Sequence, residues 1–430
     1  MKAFVIHNII IKLVVLYTYL IVFSGWLMAL LSVPNDAAII FLRILDTLPL
    51  IFFVFTFRLR ETDCFFPSTT RYWCFFLLFF LFAIISAIFQ GGSLGTTMAH
   101  IGIMFRFVPL SYFISKTSFS DEVYNIFTFH FKIISGILLL IGVIEIIGGE
   151  QAAAFFSPVK PEKEVDPPVV LSVSPIESIS GIFPNTIDYA FFLVIAYIYF
   201  INQKRFENRL LPRPVLDIFF LFLIFASGSK AALIIALAAL FIGLEYRVVK
   251  YSVLIIILII ASWLLWMFWD LFYWVVFEDS LHSRLGLIVY TLPSFFKECS
   301  LSTFFGVTPD REIVFNEISA YPIVPSMLQT VEDMHAFEDE FYVALIIYYG
   351  IVGFGLLVGM YYKLYKTLYN MVVPDDIMNS RFIIRSLFIC LIIAPFFAQI
   401  LITRPFSLFF WIIIGIIYNR YKRYETLSHI

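Results

Sequence analysis

Residues 331–357 read VEDMHAFEDEFYVALIIYYGIVGFGLL, with five carboxylates and a histidine inside ten positions and then, without a break, a run of apolar and aromatic side chains. The carboxylates are Glu332, Asp333, Glu338, Asp339 and Glu340, and the histidine is His335. A helix of about 20 mostly apolar residues crosses a hydrocarbon layer, so this stretch is the lip of a membrane span with its titratable groups gathered at one end. The rest of the chain repeats the apolar half of the pattern. Its 430 residues are 61% hydrophobic and only 14% charged, with a mean hydropathy of +0.94, far from the balance of a soluble domain. Such a composition indicates a polytopic membrane protein.

Apolar runs predict spans near residues 9–31, 37–57, 72–90, 99–115, 123–148, 187–202, 215–227, 231–246, 252–277, 341–362, 383–401 and 407–419. The expected fold is therefore all-α, a bundle of about 12 transmembrane helices. Lys2, His7 and Lys12 precede or open the first run, which continues to Leu31 without a small-x-small cleavage motif and reads as an uncleaved span. Basic residues resist translocation. Arg58, Arg60 and Arg71, then Lys204, Arg205, Arg209 and Arg213, then Arg247 and Lys250, then Lys363, Lys366 and Arg381 all fall on one side of this arrangement, as do Arg420, Lys422 and Arg423. Both termini are thus expected to be cytoplasmic.

Two connections, residues 149–186 and 278–340, face the opposite side and are too long for ordinary turns. The first contains SPVKPEKEVDPPVV, whose prolines and charges suit an extended, solvated linker. The second mixes short helical patterns with aromatic residues and carboxylates, and is expected to fold as a cap over the outer face. Net charge is −2, which gives no reason to expect a nucleic-acid partner. Cys64, Cys74, Cys299 and Cys390 have neither CxxC nor metal-ligand spacing, so neither a disulfide nor a metal is expected. HExxH, Walker A and GxGxxG phrases are missing from the sequence, leaving zincin, ATPase and nicotinamide readings unsupported and no cofactor implied.

Three polar constellations fall on the outer side. In FASGSKAALIIAL (residues 225–237) a glycine and two serines interrupt the apolar run, and Lys230 stands at the positive N-terminal end of the next helix, where the helix dipole does not favour a cation. Two readings stand: exposed N–H groups, Ser227, Ser229 and the Lys230 ammonium form an anion cradle, or the lysine snorkels beside a tight turn. Arg284 opens an amphipathic stretch that Gly306 closes in the phrase FFGV; its planar fork suits a phosphate, and an ion pair with Glu278 or Asp279 is the alternative. In the opening stretch, His335 and Asp339 share a helical face if the span starts early, and a histidine near carboxylates suits acid–base chemistry, although carboxylates favour a helix N-terminus in any case. Within the spans, Arg43 and Asp46 are spaced to pair on one helix, and Arg106 has no local partner and faces a headgroup phosphate or a cavity. His130 and Lys132 also lie within a span, and Trp263, Trp266, Trp269 and Trp274 read as an interfacial belt.

Taken in order, SGIFPNTIDYAFFL (residues 180–193), SGSKAAL, the span from Ser283 to Val307 and DEFYVALIIYYGIVGFGLL (residues 339–357) resemble the superfamily of bacterial O-antigen polymerases and O-antigen ligases. The resemblance covers residues 180–360. It implies an inverting, metal-independent glycosyltransferase of the inner membrane, with residues 149–186 and 278–340 as periplasmic loops and a single membrane domain over residues 1–430. Its substrates would be oligosaccharide repeat units on undecaprenyl pyrophosphate, acting as donor and acceptor, and its partners the lipid bilayer and a chain-length regulator protein. By position, Lys230, Arg284, Ser229 and Arg106 would bind the pyrophosphate, Arg284 would also serve catalysis, and Asp339, His335 or Glu340 would be the base. An O-antigen ligase, a capsule or exopolysaccharide polymerase, and a lipid-linked sugar flippase are the alternatives.

Overall fold

The computed structural model describes residues 2–58, 72–116, 121–156, 180–183, 186–201, 213–243, 287–297, 300–319, 321, 337–338, 341–371, 380–396 and 399–428. The chain opens with α1 (Lys2–Leu30), α2 (Asn35–Arg58), α3 (Tyr72–Phe89), α4 (Leu94–Phe105), α5 (Val108–Lys116) and α6 (Asp121–Phe156). Next come α7 (Thr186–Ile201), α8 (Arg213–Ala226) and α9 (Lys230–Gly243). The segment between α9 and the last long helices, the cap, contributes a π turn at Leu287–Thr291 and three short helices, α10 (Leu292–Lys297), α11 (Leu301–Phe305) and α12 (Arg311–Ile318). The chain closes with α13 (Phe341–Asn370), α14 (Ser380–Ile393), a 3₁₀ turn at Ala394–Phe396, and α15 (Arg404–Ser428). Among the described residues there is no strand.

By length and composition, Ile11–Leu30, Tyr124–Gly149 and Phe341–Asn370 can each cross a membrane, and the pair α4 and α5, bent by 45°, makes a fourth span if taken as one. Cys74–Phe89, Thr186–Phe200, Val215–Ala226 and Lys230–Ile242 are shorter apolar helices. The predicted span 252–277 and its tryptophans lie outside the described residues. α7 and α15 form the middle of the bundle: residues 189–199 and 405–420 are buried without exception, and Phe409 stacks on Phe131 with centroids 4.2 Å apart. Peripheral helices keep an apolar outer stripe as well, as with Leu77, Leu81, Ile85 and Ile88 on α3. That is the pattern of a helix facing lipid on one side and protein on the other.

α2, α5 and α15 run in the same direction, since Phe52 meets Phe113 and Gly415 and Asn419 face Ser111 and Ile114 in register. A Cβ on Gly415 would sit 2.8 Å from the Ser111 carbonyl oxygen, so the small residue is what lets the two backbones approach. Asn419 Nδ2 donates to Ile114 O at 2.7 Å.

The sequence reading of 99–115 as one continuous span is corrected by a break at Arg106–Phe107. Pro109 explains it: a proline lacks the N–H and clashes with the carbonyl four residues back, here Phe105, where α4 ends. Breaks free backbone carbonyls, and in hydrocarbon each must find a donor. Pro49 inside α2 frees Leu45 O, which accepts from the Tyr17 hydroxyl at 3.1 Å. Pro395 frees Leu391 O, which accepts from the Tyr342 hydroxyl at 3.0 Å.

A further break lies in α13, where Gly350 adopts φ 64 and ψ −177. There the cap supplies the donors, with Val307 N–H bonding Ile347 O at 2.8 Å and Thr308 N–H bonding Tyr348 O at 3.1 Å. The approach is close enough that a Cβ on Gly306 would overlap the Tyr348 carbonyl and one on Gly350 would overlap that of Phe304. Both glycines also have positive φ. Ser86 on α3 donates to Phe305 O, and Phe82 stacks on Phe305 at 5.7 Å, so the cap is seated on α3 and α13 together.

Two stability measurements follow, both read as thermal unfolding in detergent. Gly306→Ala and Gly350→Ala combine positive-φ strain of about 1–2 kcal/mol with overpacking of about 1–3 kcal/mol and should lower the midpoint strongly. Gly355→Ala, with open space around its Cβ, should leave the midpoint unchanged or slightly raised. Tyr17→Phe orphans Leu45 O and should cost about 1–3 kcal/mol, and adding Pro49→Ala, which restores the helical donor, should recover most of that loss.

Candidate functional site

The N-terminal part of α13 carries Tyr348 and Tyr349 immediately before the glycine break, and α4 brings His100 against both. His100 Nδ1 lies 2.7 Å from the Tyr349 hydroxyl, and the imidazole meets the Tyr348 ring edge-on with centroids 5.4 Å apart. Tyr348 donates its hydroxyl to Glu338 Oε1 at 3.2 Å. Glu338 also accepts Arg311 Nε at 2.8 Å and Nη2 at 2.6 Å, a bidentate fork that fixes both direction and distance.

Arg311 opens α12, whose N-terminus Asp310 caps by accepting Glu312 N–H at 3.2 Å. Hydrogen bonding to Glu338 raises the Arg311 guanidinium above its ordinary value, against a smaller opposing effect of partial burial. The Arg311 side chain is 41% exposed, and screening holds such a pair to about 1 kcal/mol or less. Its weight is therefore positional: it pins Glu338 to the cap.

A second polar cluster lies where α2, α5 and α15 converge. Arg106 Nη1 and Arg404 Nη2 both bond Asp46 Oδ2, at 3.2 and 3.0 Å, and Arg106 Nη2 donates to Ile402 O in the turn before α15. Two guanidinium groups thus share one carboxylate, with Arg106 also lying over the Phe107 ring at 5.1 Å. The expected Arg43–Asp46 pair gives way to this arrangement because α2 turns Arg43 outward, where it is exposed, and Asp46 inward. Glu145 on α6, also buried, accepts the Ser180 and Gly181 N–H groups at 3.1 and 2.9 Å. It holds the turn that leads into α7.

Among the sequence-predicted site residues, Ser229 and Lys230 are neighbours at the start of α9, after a turn in which Gly228 has φ +76. Ser229 Oγ accepts Ala232 N–H at 3.4 Å, a long capping bond, and Lys230 is exposed. Arg106 is buried, and its hydrogen bonds run to Asp46 and Ile402 rather than to Ser229. Arg284, His335, Asp339 and Glu340 lie outside the described residues. Sequence reasoning passes over His100, Glu145, Arg311 and Arg404. His100 and Glu145 carried a usable signal, a titratable group in an apolar span, whereas Arg311 and Arg404 are recognisable only through their partners.

Comparison with family models, with curated proteins and with solved structures returns no match to this chain.

The shared carboxylate makes an asymmetric prediction. Asp46→Ala leaves two cations facing each other and should destabilise by about 3 kcal/mol or more. Arg106→Leu leaves a matched Arg404–Asp46 pair and should cost less. Thermal unfolding of the two single variants and the double variant checks this, with the double less impaired than Asp46→Ala alone.

Proposed function

We propose that this chain is an O-antigen polymerase, joining undecaprenyl-pyrophosphate-linked repeat units at the periplasmic face of the bacterial inner membrane. The observation that carries this reading is the Gly306–Gly350 crossing. Two of the phrases on which the resemblance rests, the FFGV that ends α11 and the YYGIVG that breaks α13, are bonded to each other backbone to backbone. Their pairing gives those phrases a shared physical purpose. The Arg311–Glu338 fork adds that the carboxylate-rich stretch is tied to the same cap.

In this reading about 12 spans place both termini in the cytoplasm, and the lipid diphosphate lies at headgroup depth. Its glycosidic bond is already a reactive one, so the main requirement is to stabilise charge on the departing diphosphate, where each preorganised donor contributes roughly 3–4 kcal/mol. Lys230, Ser229 and Arg284 would supply donors and positive charge. Asp339, His335 or Glu340 would take the proton from the acceptor hydroxyl, a contribution of about 10²- to 10⁴-fold. Arg106 enters this scheme through the Asp46–Arg404 cluster, which carries two positive groups against one negative. No metal is required. A protein that sets chain length would be the natural partner.

The experiment is a deletion strain analysed by its lipopolysaccharide ladder. Loss of a polymerase leaves core bearing a single repeat unit; bare core would instead identify a ligase, and loss of another surface polymer with unchanged lipopolysaccharide a capsule or exopolysaccharide polymerase. Purified protein should lengthen lipid-linked repeats without a gradient or ATP, which separates it from a flippase. In that assay Lys230→Ala and Arg284→Ala should each lower the rate at least about 10²-fold.

A further inference from the structure

The His100–Tyr349 pair allows a hydrogen to be assigned. Tyr349 is fully enclosed, and among the described residues its hydroxyl has one hydrogen-bond partner, His100 Nδ1 at 2.7 Å. Were Nδ1 the donor, the tyrosine hydrogen would be left without an acceptor in an apolar interior, at a cost of about 1–3 kcal/mol. The hydroxyl therefore donates and Nδ1 accepts, which makes the imidazole uncharged with its hydrogen on Nε2. This is a tautomer assigned from the bonding network.

Nε2–H forms no hydrogen bond among the described residues, and the ring is half-buried rather than enclosed. Tyr348 packs against the ring edge and is itself tied to Glu338, so the imidazole is held from two sides. Among the described residues, the charged and titratable groups facing it are Tyr349 and Tyr348 from α13, Glu338 ahead of that helix, and Arg311 of the cap behind Glu338. A rigid donor with its hydrogen unspent is built for an acceptor that the protein does not itself provide.

We propose that His100 donates its Nε2–H to the diphosphate oxygen of the lipid-linked donor, as a substrate-contacting residue of the polymerase reaction. The inference rests on the polymerase reading above. In the step, the acceptor hydroxyl oxygen bonds the anomeric carbon, the bond from that carbon to the diphosphate oxygen breaks, and its electron pair leaves on the phosphate. The hydroxyl proton passes to the base in residues 335–340. His100 keeps its proton and stabilises the charge arriving on the leaving oxygen.

Steady-state extension of purified undecaprenyl-pyrophosphate-linked repeat units tests the proposal. His100→Ala should lower kcat about 10²- to 10³-fold, the loss seen when one such donor is removed, with KM little changed. His100→Gln keeps an N–H near the same place and should recover to within about tenfold. Tyr349→Phe should fall between them, because it frees the tautomer. Nitrogen-15 resonances of the histidine rings, assigned to His100 by difference from His100→Gln, should report a hydrogen on Nε2 in the parent protein. A resonance pattern with the hydrogen on Nδ1 overturns the proposal whatever the kinetics, as does full kcat in His100→Ala. Equal kcat loss in His100→Ala and His100→Gln would make the residue a base or a packing element and reject the donor role. If the parent protein fails to extend the repeats at all, the polymerase reading falls first and the role of His100 within it goes too.

Discussion

In hydrocarbon there is no water to bond a backbone carbonyl whose helical partner is missing, so every interruption of a spanning helix has to be answered by a donor from elsewhere in the protein. The structure answers several of its helix interruptions one at a time. Pro49 and Pro395 each remove a helical N–H, and tyrosine hydroxyls of α1 and α13 take over at Leu45 O and Leu391 O. Ile402 O, in the turn before α15, receives the Arg106 guanidinium. At Gly350 two carbonyls are freed together, and two consecutive N–H groups of the cap meet them. The cap is consequently part of the bundle's hydrogen-bonding, and the polar end of α13 is oriented by the same contact.

The breaks also explain where the charges reside. Arg106 lies at the junction of α4 and α5, Lys230 at that of α8 and α9, and Arg404 at the start of α15. A charge in the middle of a regular span costs several kcal/mol, but at a break it finds loop carbonyls, free N–H groups and a neighbouring charge. Arg106 uses the carbonyl and the neighbouring charge: one nitrogen bonds a carboxylate, another bonds a loop carbonyl, and the guanidinium lies over Phe107. The charge and the irregular backbone stabilise each other.

Much of this was legible in the sequence, and what was not has a physical reason. Composition and apolar run length identify α2, α3 and α7 almost to their ends and place the bodies of α1 and α6, because hydropathy over about 20 residues reports the membrane directly. The glycine and serines at 227–229 announce a break, and it occurs there. Pro109 was equally visible but was hidden inside an apolar window, and a windowed hydropathy is blind to a missing N–H. Side-chain partners were beyond reach for another reason. The rule that residues three apart can pair on a helix leads to Arg43 for Asp46, yet the bundle turns those two residues to different surroundings, and Asp46 finds arginines 60 and 358 positions away. Glu145 likewise bonds N–H groups 35 and 36 positions on. Such pairings are set by helix packing, which one sequence does not display.

The gathering of carboxylates at the lip of α13 now divides into parts with different obligations. Glu338 is committed to the protein: both its oxygens bond Arg311, and one also receives the Tyr348 hydroxyl. What Glu338 contributes is an anchor, joining the cap to the tyrosine that packs on His100. His100 is the opposite case, with one nitrogen bonded to Tyr349 and the other forming no bond among the described residues. A site that must stabilise a transient charge needs both kinds of residue: groups whose bonds are fully satisfied internally, to set the geometry, and a few whose bonding capacity is withheld until substrate arrives. On that criterion the histidine of α4, outside the stretch where titratable groups are most crowded, is better prepared to meet a ligand than the carboxylate nearest to it.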